Sequence, residues 1–254
     1  MKFLLVALNA KYIHSNPALH SLMAYAGEEY KDNIEIVEYT INNESGTILA
    51  DLYKRQPDVV GFSCYIWNFN MVLDLTREFQ KLMPNVPIWL GGPEVSFDAR
   101  NILDKQNAVT GIMIGEGEET FASLLLALKN GTSLDNVANI AYRKNGVPVY
   151  TFHKKTEGID YPSPYLTGVF DSILEHYPEI DFHAVIETNR GCPYNCAYCD
   201  WGSLHCGVRF FPEEKTMKEL QWLSDHKISG FGGADANFGM FERDEKFVDE
   251  MVRL

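Results

Sequence analysis

Long apolar runs are absent from this sequence of 254 residues. No stretch reaches the about 18 apolar residues of a transmembrane helix, so no membrane span is expected. The opening run Phe3–Leu8 is shorter than the roughly 7 to 15 residues of a signal-peptide core, and Lys11 and His14 follow it closely. We interpret this run as a buried first strand and expect a cytoplasmic protein.

Positive charge is also scarce. Lys and Arg number 22 against 35 Asp and Glu, which gives a formal net charge of −13. That charge argues against a nucleic-acid duplex or an anionic membrane surface as the main partner. The hydrophobic fraction of 46% is ordinary for a globular protein, and the length suggests one or two domains.

Cysteine is limited to five residues, and nucleotide-binding patterns are missing. The number is odd, and four of the five fall in the stretch from Cys192 to Cys206, which suits a metal or cluster site better than a disulfide framework. Neither G-x-G-x-x-G after the first strand nor G-x-x-x-x-G-K-S/T occurs, so neither a dinucleotide nor a P-loop nucleotide is indicated.

The first 130 residues alternate between strand and helix patterns. Nearly continuous runs of Val, Ile, Leu and Phe are typical of strands buried on both faces. Helical patterns begin near Pro17, Met71 and Phe121, and Gly27 and Gly131 mark the ends of the first and last. The sequence therefore predicts an α/β, doubly wound (Rossmann-like) fold with a parallel five-stranded sheet. The predicted strands are Phe3–Leu8, Ile34–Tyr39, Asp58–Ser63, Pro87–Leu90 and Val109–Ile114.

The loops at the carboxyl ends of these strands are the expected ligand site of such a sheet. The fourth strand opens into Gly91-Gly92-Pro93-Glu94 and the fifth into Gly115-Glu116-Gly117-Glu118. Glycine there lets a bulky ligand approach the backbone closely, although it is also ordinary turn chemistry. Tyr65, Trp67 and Phe69 add large apolar area after the third strand.

A hairpin and a linker follow the sheet. Asn145-Gly146 between two apolar runs predicts a hairpin appendage at about residues 134–151. The next segment is rich in Pro and has no clear period, so we place a linker over residues 151–183. The first domain is then residues 1–150.

The strongest chemical signal is Cys192, Cys196 and Cys199, directly after a predicted strand that ends at Thr188. The C-x3-C-x2-C spacing can bring three thiolates around one inorganic centre, and thiolate favours iron–sulfur or zinc. A structural zinc site normally has four ligands in paired C-x2-C units, and only the second gap here has that spacing. A four-cysteine electron-transfer cluster completed by Cys206 stays an alternative.

The three cysteines, with Tyr198 just before the third, resemble the signature of the radical S-adenosylmethionine (SAM) superfamily. The resemblance implies a [4Fe-4S] cluster held by three cysteines, with one iron left open for the amino and carboxylate groups of SAM. It also implies that residues 184–254 form the first part of a partial TIM-type (β/α) barrel, with a helix over Pro212–Asp225. Gly232-Gly233-Ala234-Asp235 resembles the Gly-Gly-Glu of the second barrel strand, which moves the carboxylate to Asp235. A glycine-rich strand that allows close packing is the alternative.

With its two glycine tetrapeptides, the first domain is similar to the cobalamin-binding domains of B12-dependent radical SAM enzymes. In that family the corrin lies across the carboxyl edge of the sheet and faces the cluster. Other cobalamin domains carry Asp-x-His-x-x-Gly after the first strand, whereas His14 stands here without the Asp or the Gly. A cobalt ligand, a corrin-edge contact and an ordinary loop residue are all open roles for His14.

The resemblance assigns residues to three groups and names no catalytic residue. The implied cobalamin contacts are Tyr12, His14, Ser63, Tyr65, Trp67, Gly91, Gly92, Pro93, Glu94, Gly115, Glu116, Gly117 and Glu118. The implied SAM contacts are Tyr198, Gly232, Gly233 and Asp235, and the implied cluster ligands are Cys192, Cys196 and Cys199.

The function implied by the resemblance is methyl transfer to an unactivated carbon or phosphorus centre of a small-molecule or peptide substrate. A 5'-deoxyadenosyl radical from SAM and a methyl group from methylcobalamin carry this chemistry. An electron donor such as flavodoxin or ferredoxin would reduce the cluster. The alternatives are a cyclase or rearrangement enzyme of the same family and a non-catalytic cobalamin or iron–sulfur electron-transfer module.

Barrels of this superfamily usually have six β/α repeats, and residues 184–254 have room for about two. The sequence stops at Glu250–Leu254 in a helical pattern with no capping signal. We therefore expect a fragment of a longer protein whose enzymatic function belongs to the intact chain.

Overall fold

The computed structural model describes residues 1–11, 14–194, 196–199 and 207–254. The chain divides into two compact units, one holding the first strand and residues 16–155 and the other holding residues 156–254 together with His14 and Ser15. Among the described residues, no helix is long and apolar enough to cross a membrane. Tyr12 and Cys206, which the sequence analysis singled out, lie outside the described residues.

Strands and helices alternate through the first unit. Each of the five predicted parallel strands is present, with its ends within two residues of the expected positions. The elements are β1 (Phe3–Asn9), α1 (Pro17–Ala26), a 3-10 helix (Glu28–Asn33), β2 (Ile34–Thr40), α2 (Ser45–Arg55), β3 (Val59–Ser63), α3 (Phe69–Leu82), β4 (Ile88–Gly91), α4 (Pro93–Ser96), α5 (Ala99–Lys105), β5 (Gly111–Met113), α6 (Glu118–Asn130), a 3-10 turn (Leu134–Asn136), β6 (Ile140–Lys144) and β7 (Val147–Tyr150). The sequence analysis missed α2, which buries only Ile48 and Leu52 and so carries a weak apolar pattern.

The strands form one sheet in the order β2-β1-β3-β4-β5-β6-β7 in the described part of the chain. The first five are parallel, as predicted, but the hairpin is not a separate appendage. Its strand β6 pairs antiparallel with β5, opposite Ile112 at Ala141, and makes the sheet seven-stranded. Because Ile140 and Ala141 are fully buried, the hairpin covers an apolar edge that β5 would otherwise expose.

Both faces of the sheet are covered by helices. Alternate residues of β1 belong to two separate core clusters, with Leu4 and Val6 in one and Phe3 and Leu5 in the other. Residues of α2, α3 and α5 fill the first cluster, and residues of α1 and α6 fill the second. This two-sided burial explains why the strand sequences are continuously apolar.

The second unit contains a parallel β–α–β arrangement, as expected for the start of a barrel. Strands β8 and β11 pair in parallel, with Ala184 opposite Phe231, and α8 lies between them in the chain. Residues of the predicted linker contribute to its core, because Tyr165 and Phe170 are buried against Trp222. The elements are α7 (Asp171–His176), β8 (His183–Ile186), β9 (Asn189–Arg190), β10 (Arg209–Phe210), α8 (Glu213–Asp225), β11 (Gly230–Gly233) and α9 (Glu242–Arg253).

Candidate functional site

The strand order fixes where a ligand can enter the first unit. From β1 the chain crosses to its neighbour β2, and from β3 it crosses in the opposite direction to β4. The loops that follow β1 and β3 therefore diverge and leave a crevice at the carboxyl edge, which is the usual binding position of such folds.

Asn68 links the ends of β1 and β3 at this edge of the sheet. Its side chain is almost fully buried, and its amide donates hydrogen bonds to the carbonyl oxygens of Leu8 (3.1 Å) and Ser63 (3.0 Å). Its Oδ1 atom accepts a hydrogen bond from the main-chain N–H of Tyr65 (2.8 Å). One side chain thus joins the ends of β1 and β3 to the loop that carries the exposed aromatic residues. Sequence reasoning named Trp67 and Phe69 on either side of Asn68 but did not single out Asn68 itself.

A second polar network holds the loop between β1 and α1. Glu38 on β2 accepts hydrogen bonds from the side chain of Asn9 (2.6 Å) and the main-chain N–H of Asn16 (2.7 Å). Its other oxygen lies 2.8 Å from Nε2 of the buried His20. Asn16 also caps α1 and donates to the hydroxyl of Ser63 (3.2 Å). Sequence reasoning missed these residues, and the only available signal was Asn before Pro at a helix start.

The loop after β3 presents apolar surface at the edge. The rings of Tyr65 and Trp67 stack with centroids 4.5 Å apart and an angle of 6° between their planes. Trp67 is 46% exposed and the intervening Ile66 is 81% exposed. We call these three residues the aromatic ledge. They offer a flat apolar surface of the kind that a planar ligand covers.

The backbone conformation of the loop after β4 requires glycine at position 92. Gly92 has a φ of +110°, and a Cβ atom there would lie 2.5 Å from the carbonyl oxygen of Cys64. The carbonyl of Gly91 accepts a hydrogen bond from the N–H of Cys64 (2.7 Å), which draws the two exits together. Pro93 and Glu94 open the short helix α4. Cys64 itself is fully buried, and this burial raises the pKa of its thiol, so Cys64 is an inert packing residue.

The loop after β5 is exposed at Gly115, and hydrogen bonds through Ser96 link it to the loop after β4. Gly115 is exposed, with a φ of +77° and no described atom within 4 Å of where its Cβ would stand. Its N–H donates to the hydroxyl of Ser96 (3.1 Å), which in turn donates to the carbonyl of Gly92 (2.8 Å). Gly117 has a packing role, since a Cβ there would approach Leu22 to 2.9 Å.

The remaining predicted cobalamin contacts differ in accessibility. His14 is half-buried, and its Nδ1 atom lies 3.1 Å from the carbonyl oxygen of Ser15. Ser63 is buried beneath the crevice, where it accepts the hydrogen bond from Asn16. Glu116 is half-buried, and Glu118 is buried at the start of α6.

The three-cysteine loop is closed at its base in the second unit. Arg190 and Asn189 on β9 pair antiparallel with Arg209 and Phe210 on β10. Gly191 has a φ of +94°, and a Cβ there would collide with the carbonyl of Gly207. The pairing of β9 with β10 and the close approach of Gly191 to Gly207 therefore bring the two ends of the loop together.

The cysteines of this loop are accessible and carry no disulfide. Cys192 is half-buried, whereas Cys196 and Cys199 are exposed. The main-chain N–H of Cys199 donates to the carbonyl of Cys196 (3.1 Å), which curls the end of the loop. Among the described residues, no three side chains of His, Cys, Asp or Glu are gathered as a metal site. Three accessible thiols within eight residues are nevertheless a donor set that fits an iron–sulfur cluster.

Asp235 is occupied by hydrogen bonds to the start of the three-cysteine loop. Its Oδ1 atom accepts from the main-chain N–H groups of Thr188 (2.7 Å) and Asn189 (3.1 Å). Its Oδ2 atom accepts from the hydroxyl of Thr188 (2.6 Å). The carboxylate therefore holds the end of β8 in place, a role that the sequence analysis did not foresee.

The other predicted SAM contacts are exposed. Gly232 and Gly233 pair with Val185 and Ile186, and no described atom lies within 4 Å of where their Cβ atoms would stand. The close-packing explanation for these glycines therefore finds no neighbour in the described part of the chain. Tyr198 is 93% exposed.

Comparison with known proteins agrees with this arrangement. The B12 binding domain family matches residues 4–125. The cobalamin-dependent radical SAM methyltransferase TokK of Streptomyces tokunonensis is 36% identical over 195 residues, which are 74% of this chain and 29% of TokK. Over most of its length, this chain is therefore similar to enzymes of the cobalamin-dependent radical SAM family. A second relative, the 2-(S-pantetheinyl)-carbapenam-3-carboxylate methyltransferase of Streptantibioticus cattleyicolor, is 35% identical over 86% of this chain and 32% of its own length.

A solved member of the cobalamin-dependent radical SAM family shares the fold. The OxsB structure with aqua-cobalamin and SAM bound has a TM-score of 0.75 at 20% identity, over 99% of this chain and 36% of OxsB. This chain thus spans about a third of the length of the relatives that it matches. The residues matched to the B12 binding domain run from β1 into α6 and include both glycine exits.

Proposed function

We propose that this chain binds cobalamin, SAM and a [4Fe-4S] cluster as part of a methyltransferase that acts on an unactivated carbon or phosphorus centre. The observation that carries the proposal is the open carboxyl edge of the sheet, where the aromatic ledge and the exits at Gly92 and Gly115 occur within the matched B12 binding domain. When bound, the cluster would supply an electron for SAM cleavage, and cobalamin would supply the methyl group.

The proposed role of the sheet edge is to hold a large planar ligand. Trp67 and Ile66 provide apolar contact, and Gly92 and Gly115 let the ligand approach the backbone. The polar networks of Asn68 and Glu38 hold the start of the loop after β3 and the two ends of the loop after β1, which lowers the entropy cost of binding.

The proposed role of the three-cysteine loop is to supply Cys192, Cys196 and Cys199 as thiolate ligands. Three ligands leave one position open for a substrate-like molecule, by the same logic that separates catalytic from structural zinc sites. Gly232 and Gly233 leave space at the end of β11 on which SAM would lie, and Tyr198, which directly precedes Cys199 in the sequence, is the third proposed SAM contact. A cytoplasmic location and an electron donor such as flavodoxin or ferredoxin complete the proposal.

Anaerobic reconstitution with iron, sulfide and hydroxocobalamin tests both sites. We expect a corrin absorption band and an iron–sulfur band from this chain. In the intact protein, with SAM and a reductant added, we also expect 5'-deoxyadenosine. Cys196→Ala should abolish iron binding, whereas Cys64→Ala, which changes a buried and inert thiol, should retain it. Trp67→Ala should weaken cobalamin retention by about tenfold, and Tyr53→Ala, which removes an exposed ring on α2, should not.

The outcomes separate the alternatives. Absence of both absorption bands would refute the proposal. Both cofactors bound without any cleavage of SAM, together with loss of iron in Cys206→Ala, would favour the electron-transfer module. In the intact protein, a substrate-derived product without an added methyl group would identify a cyclase or rearrangement enzyme.

A further inference from the structure

A hydrogen bond from the segment after β11 reaches a cysteine sulfur of the three-cysteine loop. The side-chain amide of Asn237 donates to Sγ of Cys192, with 3.1 Å between the nitrogen and the sulfur. The two residues are 45 positions apart in the sequence. Asn237 is half-buried and follows β11 by four residues.

The segment that carries Asn237 is anchored on both sides of it. Before Asn237, the N–H of Ala234 donates to the carbonyl of Ile186 (2.8 Å), and Asp235 accepts its three hydrogen bonds from Thr188 and Asn189. After it, the N–H of Gly239 donates to the carboxylate of Asp244 at the start of α9 (2.9 Å). The amide is therefore placed against Cys192 by a backbone that is anchored on both sides.

A donor to a thiolate ligand affects the electronic properties of a cluster. Reduction adds negative charge to the cluster and its sulfurs, so an N–H group that points at one sulfur stabilises the reduced form more than the oxidised form. Hydrogen bonds to the sulfurs are among the factors that set the reduction potentials of iron–sulfur clusters.

We propose that Asn237 is a positioning residue that raises the reduction potential of the cluster by donating a hydrogen bond to Cys192. The inference rests on the proposed cluster at Cys192, Cys196 and Cys199, and it goes beyond that proposal by assigning a residue that tunes the cluster. Asn237 would thereby make the cluster easier to reduce by a cellular donor.

A redox titration of the reconstituted chain, followed by the electron paramagnetic resonance of the reduced cluster, tests this role. The variants are Asn237→Ala, which removes the amide, and Asn237→Asp, which keeps its shape but replaces the donor with a negative charge. Gln221→Ala is the control, because its exposed amide in the same unit donates only to Asp225 among the described residues. Iron content and circular dichroism are measured on every variant.

We expect the midpoint potential of the cluster to fall in both variants. The expected fall is at most about 59 mV, which for one electron is about a tenfold change in the equilibrium constant of reduction. The fall should be larger in Asn237→Asp, and Gln221→Ala should match the parent chain. A merely structural role for Asn237 would change folding or iron content without shifting the potential.

An unchanged potential in Asn237→Asp at the parent's iron content would overturn the proposal. If Asn237→Ala does not fold, the isosteric Asn237→Asp decides alone. Failure of the parent chain itself to hold a cluster would instead refute the proposed function, so the two failures are distinguishable.

Discussion

Single residues at the carboxyl edge of the sheet show why glycine and asparagine are needed there. Gly92 adopts a backbone conformation that residues with a Cβ rarely reach, and its neighbour across the turn is the main chain of Cys64. Asn68 pairs with three main-chain groups through one short, buried side chain. Neither requirement involves a ligand, yet both set the shape of the surface that we propose for cobalamin.

Gly92→Ala is expected to lower the free energy of unfolding by about 3 kcal/mol, because it combines backbone strain with a contact 2.5 Å from the Cys64 carbonyl oxygen. We also expect weaker retention of hydroxocobalamin, since the β3 and β4 exits must move apart. Urea unfolding and gel filtration with the ligand measure the two effects.

Gly46→Ala is the matched control for this substitution. Gly46 lies in α2, and no described atom is within 4 Å of where its Cβ would stand. Alanine there should be neutral or stabilising by up to about 1 kcal/mol. Equal stability of the Gly92 and Gly46 variants would contradict the prediction.

At the scale of elements, the segment before β8 shows how a chain without regular pattern can still be part of a core. Tyr165 lies in the predicted linker, but its hydroxyl donates to the carbonyl of Val185 (2.8 Å) and accepts from the N–H of the same residue (3.0 Å). Burial of the ring, with a smaller effect from Glu219, raises the pKa of Tyr165 to about 12. No periodicity could reveal this contact, because single side chains make it from irregular backbone.

This shift predicts a loss of stability in alkali. The folded phenol with a pKa of about 12 keeps its proton longer than the unfolded phenol with a pKa of about 10, so its contribution is present below pH 10. That contribution, at most about 3 kcal/mol, is lost as the pH rises from about 10 to about 12.

Tyr165→Phe should lower the unfolding free energy by about 1 to 3 kcal/mol at pH 8. The substitution removes the hydroxyl that pairs with the main-chain N–H and carbonyl of Val185. It should also flatten the decline above pH 10. Tyr177→Phe changes an exposed ring and is the control. The same alkaline slope in the Tyr165 variant and the parent, measured by urea unfolding across pH, would show that the prediction is wrong.

At the scale of the whole molecule, the two units have separate cores. The first is built on the two faces of the sheet, and the second packs Tyr165, Phe170 and Trp222 around β8 and α8. A unit with its own buried core is expected to fold alone. The two proposed cofactor sites can therefore be tested on separate pieces of the chain.

We expect residues 1–155 expressed alone to unfold cooperatively in urea and to retain hydroxocobalamin without binding iron. Residues 156–254 are the matched piece and should show the opposite preference after anaerobic reconstitution. Circular dichroism, visible absorption and iron analysis measure these outcomes. An unfolded 1–155 piece, or one that folds and binds no cobalamin while the whole chain does, would contradict the prediction.

The sequence by itself determined the local features of this protein. Continuous apolar runs specified five buried strands, Pro17 and Gly27 bounded the first helix, and the spacing of the cysteines predicted a cluster-binding loop, because each depends only on near neighbours in the chain. Only the tertiary structure decided which distant groups meet. It added the hairpin to the edge of β5, joined the β1 and β3 exits through Asn68, and placed Asn237 against Cys192. Such contacts depend on strand order and on the direction of single side chains, and hydrophobic periodicity carries no information about either.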